Sequence, residues 1–352
     1  MMTKQTIAYE RLEKFAEDVF LKVGLGEADA WQIANHLVSA NLRGVDSHGV
    51  TRIPLYAERL LNKNISMGSE VELLNDAPSY AWVDGKNKHG ILVAQQSMEL
   101  AVKKAKESGI AVVGVKNSNH FGMLAYYGKH AIQHDCIAVI TSNASPSMPP
   151  WGGKERFFGT SPICYAIPGG EEISIIGDMA TSVVARGKIR LAAANNEKIP
   201  SGWAINKEGK STVNPDEVLD GGMVLPMAGP KGYSLVVFIE TLSSILTGAA
   251  FGPYVGGITD PKEQNIGHFF LVMRADIFQS LNNFKASMDQ MIREIKNVEK
   301  MEGIEEIFLP GELEMKMEEK RKKEGVPLSE EVYNHLIQFG EKIKANTELI
   351  RK

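Results

Sequence analysis

The sequence predicts an α/β fold: a sheet flanked by helices, with a helical N-terminal segment ahead of it. Three observations carry that prediction. Leu12, Phe15, Ala16, Val19, Phe20 and Val23 recur at the spacing of one helical face. From "YAWVDG" onward, short β-branched runs alternate with helical patterns, which is the order of an α/β sheet. A chain of 352 residues, 43% hydrophobic and 23% charged, has the composition of an ordinary globular protein and length enough for a sizeable core.

In chain order, "GLGE" ends the first helix, and Trp31, Ile33, Ala34, Leu37 and Val38 start a second that should stop near Gly44. A third short helix is expected over 56–61. The stretch "RGVDSHGVTR" thus falls in the bend between two helices. Strands follow at 109–115, at 136–143, at "ICYAI" and at "ISIIGD", with helices over 90–107 and 122–134 between them. Residues 200–226 read as a turn-rich excursion, "NKEG" being a hairpin turn. A helix over 232–247 reads as buried, and a strand at "GHFFLVM" and a helix over 276–297 come after it. The charge-rich stretch 311–325 reads as solvated, and Ser329 as the N-cap of a last helix ending near 346. These patterns divide the chain into a helical segment, 1–75, joined by C-terminal helices within 311–352, and an α/β core, 76–310.

Composition removes some functions. Lys and Arg number 39 against 43 Asp and Glu, a net charge of −4, whereas a nucleic-acid binder carries a basic excess or stripe. Cys136 and Cys164 lie inside apolar runs without pairing or zinc spacing, so they read as core thiols of a reduced, cytoplasmic protein. No apolar signal core opens the chain, and the most hydrophobic helix contains Glu240, so no membrane partner is expected. There is no G-x-G-x-x-G after a strand, no phosphate-loop motif, no G-x-S-x-G and no metal-ligand spacing.

Four stretches retain chemical potential. "DSHGVTR" holds Ser47, His48 and Arg52. Ser47 and His48 are sequence neighbours, so their side chains are expected to diverge. "NSNHFG" puts His120 at the C-terminal end of a strand, the edge where α/β sheets bind ligands. "GDMATSVVARGK", 177–188, has small and hydroxylated residues suited to close backbone approach by a phosphate or ribose. "AGPKGY" sets Lys231 and Gly232 at a helix start, where anions are favoured. The plain reading of each is a turn or a cap, with Gly49 and Gly122 marking backbone at positive φ. Jointly they describe an arginine fork for a carboxylate, an imidazole that moves a proton near neutral pH and a phosphate cradle. Reversible oxidation of a 2-hydroxy acid needs those parts.

The ordered motifs "LRGVDSHGVTRIPLYAERL", "GVKNSNHFGMLAYY", "WGGKERFFGTSPICYAIP", "DMATSVVARGKI", "GPKGYSLVVFIETLSSILTGAAFG" and "FLPGE" resemble the malate/L-lactate dehydrogenase family over most of 10–312. The resemblance implies a non-Rossmann, NAD- or NADP-binding mixed sheet and a homodimer or larger assembly. It implies acid–base roles for His48 and His120, open between the two, and substrate contacts from Arg52, Tyr56 and Ser47. It implies cofactor contacts from Asp178, Met179, Ala180, Thr181, Lys231, Gly232, Pro310, Gly311 and Glu312. The expected substrates are malate, lactate or sulfolactate. Ureidoglycolate or a cyclic imino acid is the alternative, and a non-catalytic metabolite-binding protein on this scaffold is the non-enzyme reading.

Overall fold

The computed structural model describes residues 4–351. It begins with a short strand, β1 (Lys4–Ile7), and three helices, α1 (Tyr9–Lys22), α2 (Glu27–Leu42) and α3 (Ile53–Leu61). Leu12, Phe15, Ala16, Val19 and Phe20 form the buried stripe of α1. Each such large apolar side chain contributes about 1.5–3 kcal/mol on full burial. The sheet region supplies β2 (Glu72–Ala77), β3 (Tyr80–Asp84), α4 (Gly90–Ser108), β4 (Ile110–Ser118), α5 (Leu124–Gln133), β5 (Cys136–Ser142), β6 (Ile163–Ile167) and β7 (Ile175–Met179). Then come α6 (Arg186–Ala194), β8 (Ala204–Ile205), β9 (Ser211–Thr212), α7 (Pro215–Leu219), β10 (Met223–Val224) and α8 (Pro230–Glu240), which runs on as a π turn over Thr241–Ile245. The chain closes with β11 (Ile266–Arg274), α9 (Leu281–Asn297), α10 (Glu312–Glu324), β12 (Val326–Ser329) and α11 (Glu330–Ile343).

Seven strands form the main sheet in the order β2-β3-β4-β11-β5-β6-β7. Only β3 and β4 pair in parallel, through the α4 crossover; every other neighbour is antiparallel, so the sheet is mixed. β11 is central because "IGHFFLVM" is apolar at nearly every position and so tolerates cover on both faces. His268 breaks that run. Its ring nitrogens bridge Ser142 Oγ at 2.9 Å and Ser118 Oγ at 2.8 Å on the flanking strands, which satisfies a fully buried imidazole.

The N-terminal helices share one apolar core with Val326, Leu328, Leu336 and Phe339 from the C-terminal end. The link is β1, which pairs antiparallel with β12 from Lys4–Ser329 to Ile7–Val326. A separate core, including Met148, Ile189, Ala204 and Val236, sits under the 200–226 excursion. That excursion is a three-stranded sheet, β10-β8-β9, with "NKEG" turning between β8 and β9.

Three expectations need correction. The stretch 311–325, helical through Glu324 as C-terminal helices over 311–352 imply, is not solvated throughout: the carboxylates Glu312 and Glu318 of the helix are buried and held by cations. The helix after Pro230 is not buried all round, since Phe238 is 57% and Leu246 63% exposed. Ser329 does cap the last helix, accepting from the Val332 N–H at 3.3 Å, but that helix ends at Ile343. Among the described residues no helix is long and apolar enough to cross a membrane.

Candidate active site

The bend between α2 and α3 is two single 3-10 turns, Asp46–His48 and Val50–Arg52. Three residues of 3-10 backbone have little stability of their own, so side chains must fix the bend. Asn41 at the end of α2 does so: its Oδ1 accepts from the Val50 N–H at 2.7 Å and its Nδ2 donates to Asp46 Oδ1 at 2.6 Å. Gly49 is not at positive φ. A Cβ there would stand 2.1 Å from Asn41 Oδ1, so it is space that demands glycine. Gly122 does take positive φ, at +79°.

The bend presents Ser47, His48 and Arg52. The expectation that the first two diverge fails, because the tight turn folds Ser47 Oγ back to 3.0 Å from His48 Nδ1. Arg52 Nε donates to the Ser47 carbonyl at 2.8 Å, which orients the guanidinium. His120 arrives from the loop after β4. Its ring stacks on His48 with centroids 5.5 Å apart and planes within 20°. Tyr56 on α3, buried, places its hydroxyl 2.6 Å from His120 Nδ1. The backbone N–H of His120 donates to Gln264 Oε1 at 3.0 Å.

Both imidazoles keep part of their surface open, yet protein encloses them on most sides. Burial pushes His48 down to about 4, and the Arg52 cation adds to that. Burial likewise holds His120 well below the ordinary imidazole range, followed by the charges of His48 and Arg52. Two stacked rings beside a guanidinium cannot both carry a proton at low cost, so the pair is neutral at pH 7 and able to accept one. Tyr56 is pushed up to about 12 by burial and stays a phenol.

Several participants lay outside the sequence reading. His89 is fully enclosed at the start of α4 and meets the Tyr56 ring edge-on at 4.6 Å. Arg59 on α3 spans to the carbonyls of Ile258 (2.9 Å) and Asp260 (2.8 Å) and to Asn119 beside His120. Asn119 stood inside the quoted "NSNHFG" and Arg59 inside "LRGVDSHGVTRIPLYAERL"; Gln264 gave no local signal. Surface hollows of about 410 and 310 Å³ contain none of these groups, so converging side chains rather than cavity volume mark the site.

Of the segments read as cofactor-facing, Asp178–Thr181 and the start of α8 lie at the C-terminal end of β7, whereas Pro310–Glu312 run beside Ile176 near its start. Asp178 Oδ2 accepts from the Ala125 N–H at 2.8 Å, capping the helix that follows the His120 loop, and burial raises its carboxyl to about 6. Met179 is 40% exposed and Ala180 partly so. Thr181 stands behind them, its hydroxyl donated to the carbonyls of Thr160 and Ser161, both at 3.1 Å. The Thr181 carbonyl accepts from the Met227 N–H at 2.8 Å, and that tie brings in the start of α8. No side chain caps α8, whose first turn carries the exposed Lys231. Gly232 packs on the chain itself, since a Cβ would lie 1.9 Å from the Met227 carbonyl. Pro310 accepts from the Ile176 N–H at 3.2 Å, and Gly311 is in the left-handed region at φ +86°. Glu312 is buried and engaged by Lys296 at 2.6 Å. An uncapped helix start with a cation, next to an open strand end, fits a phosphate-bearing ligand. Among the described residues no group of three or more His, Cys, Asp or Glu is placed to hold a metal.

Comparison with known proteins gives the class first: this is an oxidoreductase of the dehydrogenase type. The chain belongs to the malate/L-lactate dehydrogenase family, whose model matches residues 7–337. It is 40% identical over 341 residues to an L-sulfolactate dehydrogenase of Methanocaldococcus jannaschii, covering 96% of this chain and 97% of that one. It is 38% identical over 341 residues to a malate dehydrogenase of Pyrococcus horikoshii, covering 95% and 94%. The solved sulfolactate dehydrogenase from Methanocaldococcus jannaschii superposes with a TM-score of 0.92 at 38% identity, over 98% of this chain and 99% of that one.

Proposed function

We propose that this protein interconverts a small 2-hydroxy acid, of the malate, lactate or sulfolactate kind, with its 2-oxo acid, using NAD or NADP. The observation that carries the reading is the His48–His120 stack at 5.5 Å with Arg52 on the same turn. Arg52 clamps the substrate carboxylate through its planar fork. One imidazole of the pair takes the hydroxyl proton. In the tautomer whose Nδ1–H donates to the Tyr56 oxygen, His120 Nε2 is free to accept; Ser47 can orient His48 in the same way. The bound carboxylate also offsets the Arg52 charge that depresses both imidazoles, so substrate binding raises their basicity when a proton must be held.

Asp178, Met179, Ala180, Thr181, Lys231, Gly232, Pro310, Gly311 and Glu312 would hold the cofactor, with Lys231 and the α8 start on its phosphates and the others shaping the edge. A nicotinamide dinucleotide bound there supplies the hydride acceptor or donor. The helical segment 1–75, with the C-terminal helices, covers the substrate side of the 76–310 core. A cytoplasmic homodimer or larger assembly belongs to the same reading. In support, Cys136 and Cys164 are free, buried thiols, and Phe238, Ile245 and Leu246 offer an apolar face to a second copy.

The test is a panel of 2-oxo acids with NADH and NADPH, extended to ureidoglycolate and a cyclic imino acid. Turnover of at least one 2-oxo acid is expected. Neither turnover nor cofactor binding anywhere in the panel would overturn the reading. His48→Ala and His120→Ala should each be made; the true proton carrier loses roughly 10²–10⁴-fold in kcat.

A further inference from the structure

We propose that Arg321, in the last turn of α10, is a positioning residue for the bend that carries His48 and Arg52. This rests on the dehydrogenase reading above. Arg321 touches neither imidazole. Its guanidinium forks the Asp46 carboxylate, NH1 to Oδ1 at 2.6 Å and NH2 to Oδ2 at 3.1 Å, and NH1 also donates to the backbone carbonyl of Asn41. One side chain from the C-terminal region therefore grips both ends of the device that sets the bend: Asp46, which precedes Ser47 and His48, and Asn41, which holds Val50. It adds a second donor to the Asn41 carbonyl at the C-terminal end of α2, which already accepts from the Gly44 N–H at 2.9 Å.

The contact is built rather than incidental. An exposed ion pair contributes about 0–1 kcal/mol; here the Asp46 side chain is 45% exposed but that of Arg321 only 11%, and the contact is bidentate, which fixes direction as well as distance. α10 is pinned one turn earlier, where Glu318 binds Arg43 at 3.4 Å and Lys129 at 3.0 Å. Lys322 and Lys129 hold Glu318 down to about 2 against its burial. Beside them Gly44, at φ +80°, leaves room for Met317: a Cβ would sit 3.3 Å from its Cγ. α10 is thus registered on the α2 end by charge and shape, and Arg321 transmits that register to the bend.

A displacement of about 1 Å in a catalytic group can lose on the order of 10²-fold in rate. Arg321→Ala is therefore expected to lower kcat by roughly 10- to 100-fold. Cofactor Kd should stay within about twofold, because the β7 edge is untouched. Millimolar guanidinium should restore part of the lost kcat in R321A and none in the wild type, whereas methylammonium should restore less, lacking the planar fork. A variant impaired only in global stability would not regain turnover from guanidinium, which denatures. Asp46→Asn should reproduce the loss, and the double variant should be no worse than either single one; D46N also serves if R321A does not fold. An unchanged kcat in R321A and D46N, or a loss that guanidinium does not relieve, overturns the proposal. A wild type inactive across the panel overturns the dehydrogenase reading instead.

Discussion

The Tyr56 hydroxyl stands 2.6 Å from His120 Nδ1, so a helix of the N-terminal segment sets the ring of a loop on the sheet. Tyr56→Phe keeps the packing against His89 and removes only this hydrogen bond. A neutral bond of this type contributes about 0.5–1.5 kcal/mol, and about 1.4 kcal/mol is tenfold in rate. We expect kcat to fall about tenfold with KM for the cofactor unchanged. A Y56F enzyme with wild-type kcat would show that the hydroxyl does not orient the imidazole.

Arg52 is oriented by its bond to the Ser47 carbonyl and faces the imidazole pair. Arg52→Lys keeps the charge and discards the fork. KM for the 2-oxo acid should rise about 10- to 100-fold, the loss of roughly 1.5–3 kcal/mol for a charge-assisted contact. Steady-state titration of each substrate tests this, and an unaltered KM for the acid would remove Arg52 from the carboxylate clamp.

The pH dependence of turnover follows from the depressed imidazoles. In the free enzyme His48 sits near 4 and His120 well below its ordinary value. An anionic substrate offsets the Arg52 charge and raises them. Oxidation of the hydroxy acid needs the neutral base, so its rate falls on the acid side. The acid limb of kcat, which reports the complex, should lie at higher pH than that of kcat/KM, which reports the free enzyme. The reverse order would contradict the electrostatic coupling.

Stability should fall with acid. Burial holds His36, His89 and His268 near 3 and His48 near 4, with His120 also depressed. Unfolded histidine titrates near about 6.5. Below that pH the unfolded chain binds more protons than the folded one, so stability is lost as pH drops from about 6.5 toward the folded values. Asp178, raised to about 6, works in the opposite sense: its folded form keeps a proton that the unfolded carboxyl gives up, and stability is lost as pH rises through 6. Five imidazoles outweigh it. Tm at pH 5 should be lower than at pH 7; a flat or rising Tm on acidification would refute the balance.

The main sheet and its flanking helices were legible because their signals are local. β11 announces itself as a continuous apolar run, and α1 by its stripe. "DSHGVTR" and "NSNHFG" stood out because polar residues and glycine interrupt such patterns. What stayed hidden depends on partners remote in sequence. β1 and β12 are four-residue strands, one containing Pro327, that find each other across nearly the whole chain. The burial of α10 stayed hidden, though its helix did not, because its buried face is built of Glu312 and Glu318 held by cations, the inverse of an apolar stripe. The Ser47–His48 bond was misjudged because extended-chain geometry does not apply inside a 3-10 turn. The exposed Phe238, Ile245 and Leu246 escaped notice because a helix apolar all round reads as core.

The pairing of β1 with β12 also orders events in time. A ribosome releases the first strand early and its partner almost last, so Phe15 and Phe20 emerge long before Leu336 and Phe339 can join their core. The sheet, by contrast, is complete once β11 has left the exit tunnel, ahead of Arg321. A chain stalled or clipped before α10 therefore has its main sheet but lacks Glu312 and Arg321, so on the proposed reading the bend is still unset and competence for turnover comes last in synthesis.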